Sequence, residues 1–152
     1  MLFGCMYAPD FPVQASLRNL RSFSSHAVAV LDGPESLLKV VACNEMARAA
    51  GVAIGMAKLQ AESCGEVLLE KRVAEQEESA QTALLEFGYR FSPRLESTAP
   101  GAVTLDLTGS SWVLGTAKEI GEKLLHQAAS ASFVVNVGIA ANADAASMPR
   151  GE

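Results

Sequence analysis

Asp10, Glu96 and Asp106 are carboxylates that lie beside apolar runs able to form strands, and carboxylates at strand ends are groups that metal-assisted phosphoryl transfer uses. That chemistry needs several acids converging on ions roughly 3.5–4 Å apart, so that charge is stabilised on both the attacking and the leaving oxygen. The three acids do not form such a cluster in the sequence. Asp10 precedes Phe11-Pro12 and reads as a helix cap. Asp106 closes an alternating run before Thr108-Gly109 and reads as a strand-end residue, and Glu96 stands alone. Cys5, Cys43 and Cys64 are odd in number, with no C-x-x-C pair and only His26 and His126 as companions, so neither a disulfide framework nor a zinc site is expected. Ser24-Ser25-His26 lacks a strand-turn-helix elbow and reads as a surface turn. The GIAAN stretch lacks the spacings of a dinucleotide or P-loop site. Trp112 and Tyr89 fall on or beside apolar helical faces, without the basic neighbours of a base-stacking platform.

The elements that would position these residues follow from periodicity. Residues 2 to 8 suit a buried strand, and Val13, Leu17 and Leu20 share one face of the helix after Asp10. Residues 27 to 31 and 37 to 43 read as strands joined across Asp32-Gly33-Pro34. Asn44 is placed to cap a short helix that Gly51 stops. A second short helix is predicted from Gly55 to Ser63, then a strand over 65 to 71. A longer helix at 73 to 89 carries Ala80, Leu84 and Phe87 on one face and a solvated acidic one near its start. Residues 92 to 97 and 103 to 107 read as neighbouring strands around the turn Ala99-Pro100-Gly101. A helix capped by Ser110 or Ser111 follows, with Val113, Ala117, Ile120 and Leu124 on one face. The strand 133 to 139 and an alanine-rich helix opening at Asn142 complete an order of βα, a small inserted unit, then βαββαβα. The pattern predicts an α/β sheet with helices packed on it.

Four segments carry a resemblance. TAPGAVTLDLTG at 98 to 109 has the frame of the active-site strand of Y-family (translesion) DNA polymerases, SIDEAFLDVTG. CMYAPDFPVQASLR at 5 to 18 resembles their amino-terminal DMDAFYASVE segment, and most closely the opening LYxPDFPLQA of the ImuB-type mutasome proteins. VAVLDG through VVACNEMARAAGVAIGMA at 28 to 58 resembles the fingers, with their A-x-x-YEAR-x-x-GV-x-x-GM pattern. VGIAANADAA at 137 to 146 resembles the palm helix beginning GIAxNKLLAK.

The resemblance implies a fold of α/β (α+β) class, a palm-like mixed β-sheet with packed helices and a small inserted fingers subdomain. Its palm would comprise residues 1–18 and 72–152 and its fingers 19–71, with thumb and little-finger domains lying beyond this chain. Aligned on Leu105-Asp106-x-Thr108-Gly109, the family's Asp-Glu pair falls on Gly101 and Ala102. The two acids of the first strand fall on Pro9 and Phe11, or on Cys5 and Tyr7 when the strand itself is aligned. The fingers arginine that contacts the incoming triphosphate is retained as Arg48, the one nucleotide-binding residue expected, while its tyrosine position is Glu45. Ala143 and Ser147 take the places of the palm lysines.

On these positions the expectation is a protein that is not an enzyme, with no catalytic residue, metal or cofactor, and that acts as a scaffold in DNA repair, translesion synthesis and induced (SOS) mutagenesis. The implied partners are an error-prone replicative-type polymerase, a sliding clamp and a recombinase-like mutasome subunit. The alternatives are a fragment of an active translesion polymerase and a small palm-fold regulatory domain.

Composition bounds these readings. At 152 residues the chain is the size of one ordinary domain and can bury a useful core. Its hydrophobic fraction of 49% beside 19% charged residues is that of a globular protein. No run approaches the ~20 apolar residues of a membrane span, and the amino terminus lacks a basic n-region, so no membrane association and a cytoplasmic location are expected. The formal charge of −5 predicts weak or indirect contact with DNA, because phosphate binding draws on a basic face.

Overall fold

The computed structural model describes residues 2–18, 26–109 and 115–140. Its elements are β1 (Phe3–Tyr7), α1 (Phe11–Leu17), β2 (Ala27–Asp32), β3 (Lys39–Cys43), α2 (Glu45–Ala49), α3 (Lys58–Glu62), β4 (Val67–Lys71), α4 (Ala74–Gly88), β5 (Leu95–Ala99), β6 (Ala102–Asp106), α5 (Ala117–Ser130) and β7 (Asn136–Ala140), with a 3-10 turn at Glu35–Leu37. The chain divides into two compact units, one gathering β1 and the chain from Glu78 onward, the other Asp10–Glu77.

The first unit is built on a four-stranded sheet of order β5-β6-β1-β7. All three pairings are antiparallel. β1 and β6 are neighbours, with Tyr7 opposite Ala102 and Phe3 opposite Asp106, which is the adjacency the palm-like reading requires. Antiparallel partners share a face. Gly4, Met6, Val103, Leu105 and Ile139 therefore form one face of the sheet. A Cβ added at Gly88 of α4 would meet Leu105, Met6 and Val103, and one added at Gly121 of α5 would meet Ile139, so both helices pack on that same face. From α4 the predicted Ala80, Leu84 and Phe87 are buried; from α5 the predicted Ile120 and Leu124 are buried together with Ala128, while Ala117, expected on that face, is exposed at the first position of the helix. Phe87 also meets Phe91 edge to face at 5.6 Å.

The second unit holds a three-stranded sheet of order β3-β2-β4, with β2 antiparallel to β3 and parallel to β4. β2 reads AVAVLD, a nearly continuous apolar run, because both of its faces are covered. Ala27, Ala29 and Leu31 pack with Ala47 and Val52 around α2 and with Ala61 of α3. Val28 and Val30 pack on the opposite face with Val13 of α1 and with Ala42. Asn44 caps α2, its Oδ1 accepting from Ala47 N at 2.9 Å, and Gly51 ends that helix region in a left-handed conformation at φ 105°.

Several strands begin two or three residues later than the sequence expectation, β3 at Lys39, β4 at Val67 and β7 at Asn136 among them, and three further boundaries differ for a tertiary or capping reason. Helix α3 begins at Lys58 rather than Gly55, because the preceding backbone pairs with the free edge of β3: Gly55 N donates to Val40 O at 2.8 Å and Val40 N to Met56 O at 2.9 Å. Strand β5 begins at Leu95, since Ser92 is buried and occupied with capping: its Oγ donates to Asp106 O at 2.5 Å and accepts from Arg94 N at 3.1 Å. Helix α5 is capped by Thr116, whose Oγ1 accepts from Glu119 N at 3.3 Å while Glu119 Oε1 accepts from Thr116 N at 3.4 Å. This T-x-x-E capping box was legible in the sequence. The expected caps Ser110 and Ser111, together with Trp112, Val113 and the helix opening at Asn142, lie outside the described residues.

Candidate functional site

Two places correspond to the residues singled out by the sequence, and each lies within one unit. The first is the corner where the end of β1 meets the start of β6. Cys5 and Tyr7 alternate onto the sheet face opposite to α4 and α5, beside Thr104 and Ala102 on β6 and Gly138 and Asn136 on β7. Tyr7, Ala102 and Asn136 thus form one row, presenting a phenol 39% exposed, a methyl group and a carboxamide. Pro9 follows β1, whereas Phe11 is buried in α1. Placing the first-strand acids on the strand itself, at Cys5 and Tyr7, therefore puts both positions on the face that carries Ala102.

The corner is held rigidly. Gly101 takes a left-handed φ of 77°, which its lack of a Cβ makes inexpensive. Its peptide is gripped from two sides: its N–H donates to Gln81 Oε1 at 2.7 Å, and its carbonyl accepts from Ala8 N at 2.8 Å. The Gln81 amide nitrogen in turn donates to Ser97 Oγ at 2.9 Å and lies 3.4 Å from the carbonyls of Ala99 and Ala102. One glutamine on α4 thus ties both arms of the β5–β6 turn. Sequence reasoning missed it, because Gln81 occupies an ordinary polar position of an amphipathic helix and nothing local marks its target. We expect Gln81→Ala to cost about 1–2 kcal/mol, since it leaves the buried Gly101 N–H without its partner. Amide hydrogen exchange should show the loss, with faster exchange at Gly101 than at Leu105. Unchanged exchange at Gly101 would mean that the Gln81 contact contributes nothing.

The electrostatics of the corner are mild. Burial pushes the Cys5 thiol above its ordinary value, with a hydrogen bond to Thr104 opposing, so it stays protonated and a poor ligand or nucleophile. Asp106 is held below the usual carboxylate range by hydrogen bonds from Thr108, whose backbone N–H reaches Asp106 Oδ1 at 3.0 Å. Arg94 lies 3.8 Å away from its other oxygen. Asp106 is thus a strand-end structural residue, as its sequence context predicts, and Glu96 is exposed on β5. Among the described residues no three His, Cys, Asp or Glu side chains gather to hold a metal ion.

The second place surrounds Arg48 on α2. Its guanidinium binds the Asp10 carboxylate through both terminal nitrogens, Nη1 to Oδ1 at 3.0 Å and Nη2 to Oδ2 at 3.1 Å, and Nη1 also donates to Cys43 O at 2.6 Å. The hydrogen bond that Arg48 donates to Asp10 is the chief cause that raises Arg48 above its ordinary value. Burial pushes the Cys43 thiol up, with Arg48 opposing. The cap expected of Asp10 is not made by its side chain. Asp10 precedes α1 in a left-handed conformation, φ 51° and ψ 43°, and only its carbonyl serves the helix, accepting from Val13 N at 2.8 Å. The side chain turns to Arg48 instead. Aspartate is one of the few residues that adopt this left-handed conformation readily, so the local cost is chiefly the forgone side-chain cap, about 0.5–2 kcal/mol. Glu45 is exposed one turn before Arg48.

The model of the impB/mucB/samB family matches residues 6–149, nearly the whole sequence and all of the four motif segments except Cys5. The chain belongs to this Y-family polymerase family. Solved structures agree on the fold. A Y-family DNA polymerase chimera, Dbh-Dpo4(243-245)-Dbh, superposes with a TM-score of 0.79 at 17% identity, over 93% of this chain and 43% of its own. An insertion ternary complex of Dbh DNA polymerase gives 0.82 at 18% identity, over 99% and 47%. DinB from Sulfolobus solfataricus gives 0.73 at 18%, over 93% and 42%. This Y-family chain spans less than half the length of these polymerases. No curated protein matches it.

The family membership corrects one expectation. Gly101 and Ala102 in place of an acid pair suggested a chain that is not an enzyme, yet the structures that share its fold are DNA polymerases, and its family is theirs. The physical reason is that ligands of a two-metal site are defined by convergence around ions and substrate phosphates. Aligning one strand motif does not report that convergence. Among the described residues no helix is long and apolar enough to cross a membrane.

Proposed function

We propose that this chain is the palm and fingers portion of a protein that acts in DNA damage bypass. The four-stranded unit is the palm and the three-stranded unit the fingers. The observation that carries the reading is the family match over residues 6–149, joined to a sheet in which β1 and β6 pair at the position of the family's active-site strand. The similar structures, DNA polymerases of the Y-family among them, support a nucleic-acid substrate.

Within the family, MYAPDFPVQA supports a place in the ImuB-type mutasome branch. On that reading the full-length protein brings together an error-prone replicative-type polymerase, a sliding clamp and a recombinase-like subunit during induced mutagenesis in the cytoplasm. Deleting the gene and measuring ultraviolet-induced mutation tests the proposal. Induced mutation should fall to the spontaneous level and return when the full-length gene is supplied in trans. Undiminished induced mutation in the deletion strain, with survival also unchanged, would remove the bypass role.

A further inference from the structure

The edge of a sheet exposes unpaired peptide groups, and proteins close such edges with bulges, prolines, charges or a covering segment. In the three-stranded sheet the outer edge of β3 is covered: Val40 N donates to Met56 O at 2.9 Å and Gly55 N to Val40 O at 2.8 Å. In the four-stranded sheet the edge strand β5 is broken by a register shift between Ser97 and Ala99. The outer edge of β4 has neither device. Its register with β2 runs unbroken from Val67 to Lys71, it contains no proline, and its charges follow the apolar Val67-Leu68-Leu69. These three side chains are half-buried: Val67 and Leu69 lie against the core of Ala29 and Leu31, and Leu68 against that of Val28 and Val30.

One bond shows which peptide groups of β4 face outward. Arg72 N donates to Leu31 O at 2.8 Å, and Leu31 is in register with Lys71. In a parallel pair a residue bonds to the two neighbours of its partner, so the peptide groups of Leu68, Glu70 and Arg72 point to β2 and those of Leu69 and Lys71 point away. Among the described residues nothing pairs with the outward N–H and C=O of Leu69 and Lys71. We propose that β4 is a self-association surface, at which two copies of this chain pair β4 to β4, antiparallel about a two-fold axis through Leu69, and join their three-stranded sheets into one.

Charge selects both the occupant and the register. Only outward-facing residues exchange hydrogen bonds across the new pair, which restricts the register to steps of two residues. With the axis through Leu69, Leu69 faces its own copy, Val67 faces Lys71, Leu68 faces Glu70 and Glu66 faces Arg72. Sliding the strands by one such step sets Glu66 against Glu70 in one direction and Glu70 against its copy in the other, and like charges directly opposite are destabilising. Glu66 forms no ion pair among the described residues. Arg72 binds Glu77 and Asp32 yet keeps 40% of its side chain exposed to receive it. A two-fold pairing uses the same edge on both copies and is closed, so assembly stops at the dimer. Two five-residue strands bury far less than the ~1,600 Å² of a stable complex, so the dimer is weak and concentration-dependent.

The test combines sedimentation equilibrium with disulfide mapping, both on the full-length protein. The unaltered protein should show a monomer–dimer equilibrium. Under a mild oxidant, copper phenanthroline, Leu69→Cys should form a covalent dimer, because facing hydrogen-bonded residues have Cα atoms about 5.5 Å apart, within the range a disulfide spans. Glu70→Cys should not, since its copy lies two residues further along the strand, more than about 7 Å away. The unaltered protein, in which Cys64 is partly exposed, sets the background. Glu66→Arg should weaken the dimer about tenfold at low salt by placing two like-charge contacts across the pair, and added salt should narrow the difference. Glu66 is exposed and lies outside the apolar stretch of β4, so this variant carries the comparison should Leu69→Cys fold poorly. A monomer at every concentration overturns the proposal, as does cross-linking at position 69 no faster than background or no faster than at position 70. A dimer that Glu66→Arg leaves equally tight overturns it too.

Discussion

Leu105→Ala should destabilise the four-stranded unit by about 2–5 kcal/mol, the range for large-to-small changes at fully buried sites. Leu105 sits on β6 opposite Gly4 and is fully buried. It packs against α4 so closely that a Cβ placed on Gly88 would stand 3.1 Å from its Cδ2. The helix approaches there because Gly88 has no side chain, so neither backbone can move inward to fill the space that alanine would leave. With native stabilities of roughly 5–15 kcal/mol, the variant loses a large fraction of its margin. Thermal unfolding should shift down by about 2–4 °C for each kcal/mol lost in a chain of this size. Leu125→Ala serves as the control, since Leu125 is 47% exposed on α5 and surface changes usually stay within about 0.5 kcal/mol. Equal losses from the two variants would show that the helix-to-sheet packing described for this unit is wrong.

Asn44→Ala should cost about 2–3 kcal/mol in the three-stranded unit, more than the loss of a helix cap alone, which is typically about 1 kcal/mol. The reason is that one carboxamide serves three backbone groups. Asn44 Oδ1 accepts from Ala47 N at 2.9 Å and from Val28 N at 3.1 Å, and its Nδ2 donates to His26 O at 2.8 Å. It therefore caps α2 and anchors the start of β2 together. Asn44→Asp should fall between, because a carboxylate keeps both accepted bonds but faces the His26 carbonyl without a proton to donate. Denaturant unfolding gives the magnitudes, and amide exchange at Val28 and Ala47 should rise together in the alanine variant. A loss confined to Ala47 would reduce Asn44 to a helix cap.

The sequence by itself determined most of the elements and their buried faces. Ala80, Leu84 and Phe87 on α4, Ile120 and Leu124 on α5, and the run AVAVL of β2 are buried as their spacing predicts, since 3.6-residue and two-residue periodicities are local consequences of burying one face. The caps at Asn44 and Thr116 follow equally local rules, although the second was not drawn from the sequence. The four motif segments determined the family, because the order of residue types along the chain survives when overall identity to the solved structures has fallen to 17–18%.

Tertiary structure decided the rest, wherever a residue's partner is remote in the chain. Asp10 has the residue type and position of a helix cap, but Arg48, 38 residues away, takes its carboxylate. Gln81 looks like surface, yet it holds the turn around Gly101. The backbone before Lys58 pairs with β3 instead of extending α3. In each case a local propensity worth about 1 kcal/mol competes with hydrogen bonds of similar worth, and the outcome rests on which distant groups the fold brings within 3 Å. The order β5-β6-β1-β7, which sets Tyr7 beside both Ala102 and Asn136, is a matter of strand pairing between distant segments, and alternation along a single strand carries no information about its neighbours.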